Sequence, residues 1–160
     1  MNQYDAYVKM DKIDVALLSL MQEDAALSVG TLAEHIGISK SACWRRIQKL
    51  EEAGVIRQRV TLLDPNKLGL SLTVYISVRT AQHNQQWASN FKKVIADIPG
   101  ITEVYRMGGD VDYLLKAVVS DMRGYDKLYQ TLIAADLFEV TAGFVMETMK
   151  HTTILPLTAS

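Results

Sequence analysis

Between residues 40 and 59 the chain carries six cations, Lys40, Arg45, Arg46, Lys49, Arg57 and Arg59, against only Glu51 and Glu52. Further on, Gly108-Gly109-Asp110-Val111-Asp112 sets two glycines beside two carboxylates. The first group has the chemistry of nucleic-acid recognition. Lysine and arginine neutralise backbone phosphates, while Arg and Gln side chains match the hydrogen-bonding edges of bases. The second group has the chemistry of a zwitterion site. Glycines leave backbone N–H groups uncovered for a carboxylate, and an aspartate can hold an ammonium. The same letters also make an ordinary hairpin turn, with glycines supplying positive φ and aspartates bonding their own backbone.

What separates these readings is the element carrying each group. Ser39 to Gly54, SKSACWRRIQKLEEAG, has the pattern of one helix, capped by the Ser39 side chain and left through Gly54. At about 100° per residue, Cys43, Ile47 and Leu50 share a narrow apolar stripe. Ser41, Arg45, Gln48 and Glu52 point the opposite way, with Trp44 and Lys49 on the flanks. Such a face is often merely solvated, but here a second short helix precedes it. Ser28 to Ile38 starts at a serine cap, turns Leu32, Ala33 and Ile36 inward, and breaks at Gly37. Two short helices joined at a glycine, the second one basic, form the helix-turn-helix pattern.

The candidate DNA surface is therefore Ser39, Lys40, Ser41, Trp44, Arg45, Arg46, Gln48, Lys49, Arg57 and Arg59. Arg45 and Gln48 face base edges, and Lys40, Lys49, Arg57 and Arg59 face phosphates. Arg46 lies nearer the buried edge, where an ion pair within the protein serves equally well.

A first helix from the Asp11 cap to about Asp24, with Ile13, Leu17, Leu20 and Met21 at helical spacing, closes the core beneath that pair. Residues 1–10 read as a loose arm. After Gly54 the period changes, and Val55–Val60 is predicted as a short strand with Arg57 and Arg59 on one side. It is either a basic wing adding phosphate contacts or a solvated edge strand guarded by arginines.

Asp64-Pro65-Asn66-Lys67 and Gly69 mark a boundary, since proline and glycine stop both periods there. The domains expected are 1–63, a hinge at 64–69, and 70–160. In the second, Leu70, Leu72, Val74, Ile76 and Val78 alternate with polar residues as a half-buried strand. A helix carrying Trp87, Phe91, Val94, Ile95 and Ile98 inward follows, then strands at 101–107 and 113–119. Asp121 caps a helix with Met122, Tyr125, Leu128, Tyr129, Leu132 and Ile133 inward, and a last strand spans 140–149. The order βαββαβ is the ferredoxin-like arrangement, both helices on one face of a four-stranded sheet. The other face, with Thr73, Tyr75 and Thr141, is of the kind a second copy covers, so a homodimer is expected.

Composition bounds the rest. A net charge of −1 gives no global basic bias, so any nucleic-acid contact must come from the local face. The single cysteine, Cys43, allows no internal disulfide, and no run of about 20 apolar residues is present to cross a membrane. A cytoplasmic protein without membrane contact is expected. His35, His83 and His151 are scattered, so no metal site and no cofactor are expected. A GGD-type hairpin also occurs in diguanylate-type nucleotide cyclases, but Leu70–Arg79 offers no further acid for Mg²⁺. No catalytic residues are assigned. The competing reading from another class is a metabolite-binding module whose first domain docks on protein.

With both halves read, the chain resembles the Lrp/AsnC family of leucine-responsive, or feast/famine, transcription regulators. The resemblance rests on LAEHIGIS followed by CWRRIQKLEEAGVI, on LLDP, on GGDVDYLLK and on VMETMK. It covers nearly the whole chain and implies an α+β protein, a winged helix-turn-helix domain followed by a ferredoxin-like effector-binding domain. It further implies double-stranded DNA as partner, a dimer through the second-domain sheets with octamers beyond it, and an amino-acid effector between subunits. The effector residues expected are Met107, Gly108, Gly109, Asp110 and Asp112, with Thr141 from a partner subunit. Two departures stand out. Trp44 and Arg45 replace a frequent aliphatic–acidic pair, and Ala142 and Gly143 are small where some members carry polar ligand contacts.

Overall fold

The structure, a computed structural model, describes residues 7–82, 84–135, 137 and 139–160. Part of the expected N-terminal arm, and His83, lie outside the described residues. The chain divides into two compact units, one holding the residues up to Thr61 together with Lys150–Ser160, the other Leu62–Met149. Among the described residues no helix is long and apolar enough to cross a membrane.

In the first unit α1 spans Lys12–Glu23, α2 Val29–Ile36 and α3 Lys40–Glu52. Each starts where the sequence offers a cap. Asp11 accepts the Ile13 and Asp14 N–H groups while the Asp14 carboxylate accepts the Asp11 N–H, satisfying donors the first turn would leave open. Ser28 and Ser39 cap α2 and α3 through the N–H groups of Thr31 and Ala42. Gly37 ends α2 at φ 78°, a left-handed conformation that lets the chain turn within three residues into α3. Leu17, Leu18, Leu32, Ala33, Cys43, Ile47 and Leu50 form the core.

Several boundaries differ from those read in the sequence; the first strand of the second domain starts at Leu72, so Leu70, expected on its inward face, lies before it and is exposed. Val55–Val60 forms no strand. Among the described residues nothing pairs with it, and a lone strand leaves its ladder groups unmet. The second domain was expected to run to residue 160, yet Lys150–Ser160 lies on the helical unit. Leu157 packs against that core, and Gln22 both donates to the Leu155 carbonyl at 3.0 Å and accepts its N–H at 2.9 Å. The last strand stops at Phe144 rather than residue 149, because its partner strand starts at Leu72 and Val145 finds the last carbonyl, that of Thr73.

The second unit opens with a turn of 3₁₀ helix at Asn66–Leu68 and continues β1 Leu72–Arg79, α4 Gln85–Ala96, β2 Ile101–Arg106, β3 Tyr113–Val119, α5 Met122–Leu132 and β4 Glu139–Phe144. The sheet is antiparallel in the order β2-β3-β1-β4, the ferredoxin-like topology. Val74, Ile76 and Val78 of β1 and Leu115, Ala117 and Val119 of β3 meet Trp87 and Phe91 of α4 and Leu128 and Leu132 of α5. Met122 and Ile133, expected inward, are exposed. They sit in the first turn of α5 and just past its end.

Candidate nucleic-acid interface and effector loop

The apolar stripe of α3 is buried as its spacing requires, which turns the opposite side outward. Lys40, Ser41, Trp44, Arg45 and Lys49 are exposed, and Trp44 keeps 54% of its surface. Arg57 is exposed beyond the helix. Lys40, Arg45, Lys49 and Arg57 make no ion pair among the described residues. Together they form a cationic surface with a single indole in it.

Five expected DNA residues, Ser39, Ser41, Arg46, Gln48 and Arg59, have partners inside the protein. Ser39 Oγ caps the helix and lies 3.2 Å from Ser41 Oγ. Arg46 Nη1 binds Asp11 Oδ2 at 2.8 Å and Asp14 Oδ1 at 2.6 Å, pinning α3 to the first turn of α1. Those carboxylates hold the guanidinium charged and raise its pKa further. Gln48 donates to Glu51 Oε2 at 3.0 Å, and Arg59 to Glu51 Oε1 at 2.9 Å. Glu51 thus gathers two of the predicted contacts. Its place one turn after Gln48 was the sequence signal that Gln48 would find a local partner. Cys43 is buried, and that burial raises its thiol pKa, leaving a poor nucleophile.

In the second unit, the chain between β2 and β3 closes through the Met107 N–H on the Asp112 carbonyl at 2.8 Å. Gly109 stands at φ 116°, which side chains rarely adopt, and an added Cβ at Gly108 or Gly109 would meet nothing within 4 Å. The space beside both glycines is therefore open. Asp110 is exposed at its tip and Met107 is 42% exposed. Asp112 behaves differently. Its N–H donates to the Val78 carbonyl at 3.1 Å, and its Oδ2 accepts the Thr80 N–H at 2.8 Å, bracing the loop against the end of β1. Asp110, by contrast, makes no side-chain hydrogen bond or ion pair among the described residues. Thr141 lies on β4 opposite Ser77 of β1, so β1 separates it from β3 within one chain.

A cavity of 310 Å³ opens beside this loop, lined in part by Thr80, Asn84, Trp87, Arg106, Met107 and Tyr113. The sequence reading missed it because it needs the start of α4 and the end of β2 side by side. On the sheet face away from the helices, Tyr105 donates to Glu103 Oε2 at 2.7 Å and Lys116 Nζ to Glu103 Oε1 at 2.9 Å. That carboxylate raises the pKa of both partners. Tyr75, 42% exposed, stands beside Lys116 and opposite Gly143. Among the described residues no group of three or more His, Cys, Asp or Glu could hold a metal ion.

Comparison with known proteins matches residues 10–57 to a winged helix-turn-helix DNA-binding family and residues 73–155 to the Lrp/AsnC ligand binding domain. The glutamate uptake regulatory protein of Zymomonas mobilis is 48% identical over 150 residues, 93% of this chain and 92% of that one. A crystal structure of an AsnC family transcriptional regulator from Agrobacterium tumefaciens superposes with a TM-score of 0.87 at 49% identity, covering 92% of this chain and 97% of the other. A transcriptional regulator from Neisseria meningitidis, solved as an L-Met complex, does so with a TM-score of 0.87 at 31% identity, over 92% and 97% of the two chains.

Proposed function

Since the chain belongs to the Lrp/AsnC family of DNA-binding transcription regulators, we propose that it reads its operator with the outer side of α3 and responds to an amino acid at the Gly108–Asp112 loop. One observation carries the DNA reading. The second helix of the helix-turn-helix turns Lys40, Trp44, Arg45 and Lys49 outward, while Arg46, Gln48 and Arg59 are spent on contacts within the protein. Arg45 takes a base edge, and Lys40, Lys49 and Arg57 take phosphates.

An amino acid suits the loop because uncovered N–H groups at Gly108, Gly109 and Asp110 match a carboxylate and Asp110 matches an ammonium. A relative named for glutamate uptake and another crystallised with L-Met support that class of effector. The protein acts as a cytoplasmic homodimer, with octamers beyond it, through the sheet face bearing Tyr75, Tyr105 and Thr141. A duplex with two half-sites about one helical turn apart calls for two such helices. An effector between subunits biases that assembly by its difference in affinity for the two states.

The test is a gel shift on the DNA upstream of its own gene, repeated across salt concentrations. Arg45→Ala should cost about 1–3 kcal/mol on that site and relax one position, whereas Lys49→Ala should weaken all sequences and flatten the salt dependence by about one charge. If Arg45→Ala binds specific and random DNA as the parent does, the assignment is wrong.

A further inference from the structure

Trp44 is the residue the fold does not explain. The chain's other tryptophan, Trp87, is 6% exposed, stacks on Phe91 with centroids 5.0 Å apart, and donates its Nε1–H to the Ala135 carbonyl at 3.1 Å. Trp44 has no ring, hydrogen-bond or ionic partner among the described residues and leaves 54% of its surface in water. The core beneath it is closed by Cys43, Ile47 and Leu50 without its help. A large indole held in solvent forgoes the burial that usually justifies it, which leaves it available to a complement outside the unit.

Its position says what that complement is. Trp44 lies in the second turn of α3, one residue before Arg45 and four before Gln48, on the edge of the outward face. In helix-turn-helix proteins the N-terminal residues of the second helix touch base edges, and helical side chains lean toward the N-terminus. The indole therefore enters the groove with Arg45. The major groove floor offers donors and acceptors at every base except for one apolar group, the C5-methyl of thymine. The indole's one donor, Nε1–H, can meet a single acceptor, but its carbon faces set against donors and acceptors would strip them of water with nothing in return; against a methyl they lose nothing. We propose that Trp44 is a specificity-determining residue that reads the C5-methyl of a thymine beside the base contacted by Arg45. This rests on the DNA reading above, since it places α3 in the major groove.

The experiment is selection of binding sites from a random duplex library with the full chain, followed by replacement of each selected thymine with deoxyuridine, which removes only the methyl. In each half-site, one deoxyuridine should weaken the parent about four-fold, the affinity equivalent of one buried methyl. Trp44→Ala should bind thymine and deoxyuridine duplexes alike, and its selected consensus should lose that thymine while keeping the position read by Arg45. Trp44→Leu, which retains apolar surface, should restore part of the discrimination. A Trp44→Ala variant that weakens binding to every sequence equally, with no deoxyuridine penalty in the parent, would overturn the role in favour of a sugar–phosphate contact. A deoxyuridine penalty undiminished in Trp44→Ala would overturn it too. If the parent enriches no sequence at all, the DNA reading falls first, and this role with it.

Discussion

Arg46 Nη1 donates to Asp14 Oδ1 at 2.6 Å across the gap between α3 and the first turn of α1. The same nitrogen reaches Asp11, whose other carboxylate oxygen caps α1. A residue that in the sequence looks like one more cation of the exposed side of α3 is therefore a clamp between helices. Arg46→Met keeps the apolar stem and removes the head group, so it should lower stability by about 1 kcal/mol. The DNA sequence preference should stay as it was. Urea unfolding and binding-site selection on the same variant decide the matter: an unmoved unfolding midpoint with a changed consensus would return Arg46 to the DNA face.

Acid should open this clamp in a defined window. The Asp11 carboxyl is held below its ordinary value, first by the N–H of Asp14 and then by the Arg46 guanidinium. A depressed carboxyl binds fewer protons folded than unfolded. Its contribution is therefore present above the ordinary carboxylate range and is lost as pH falls through the folded value. Asp11→Asn removes the titrating group and keeps a capping oxygen. The parent should be the more stable near neutrality, and the gap should close below about pH 4. Amide signals of α1, followed in urea at several pH values, report it, and a gap independent of pH would rule the linkage out.

Much of this was legible because it depends on neighbours in sequence. The caps at Asp11, Ser28 and Ser39, the stripe of Cys43, Ile47 and Leu50, and the alternation of β1 each follow from a local period. What escaped depends on distant partners. Nothing near Val55–Val60 says whether a second strand exists to pair with it. The period of residues 140–149 carries no mark of where β1 begins, which is what ends β4. The path of Lys150–Ser160 depends on Gln22 and the helical core, more than a hundred residues earlier. At the candidate sites the residue types were readable and their availability was not, since Glu51 and Thr80 decide that Gln48, Arg59 and Asp112 are already engaged.

The tail should accordingly stabilise the helical unit. Leu157 is partly buried against its core, and Gln22 grips Leu155 through two hydrogen bonds. Leu157→Asp puts a charge on that contact and should destabilise the unit by about 2 kcal/mol. Gln22→Ala, at an exposed site, should cost about 1 kcal/mol or less. Both act through the same strap, so the double variant should lose less than the sum of the two. Hydrogen exchange offers a local readout. The Leu155 N–H should exchange slowly in the parent and at the rate of an open chain in Gln22→Ala, and a slow amide in the variant would show that the strap does not depend on this grip.

The two aspartates of the glycine loop should separate when each is replaced. Asp112 accepts the Thr80 N–H and ties the loop to the end of β1, so Asp112→Ala should lower the melting temperature even without an amino acid present. Asp110 is exposed at the tip, so Asp110→Ala should leave the unliganded melting temperature unchanged. Its loss should appear only in the response. A screen of the proteinogenic amino acids should raise the parent's melting temperature with at least one of them, because a ligand that binds only the folded chain stabilises it by mass action. Asp110→Ala should show no such rise, and its DNA affinity should stop changing with that amino acid, a coupling of about 1–3 kcal/mol in the parent. Effector-free DNA binding should persist, since the loop and α3 belong to different units. Gly109→Ala forces a side chain onto φ 116° and should mimic Asp112→Ala in stability. If Asp110→Ala responds to the same amino acid at the same concentration as the parent, the ammonium is held elsewhere and the loop is a turn.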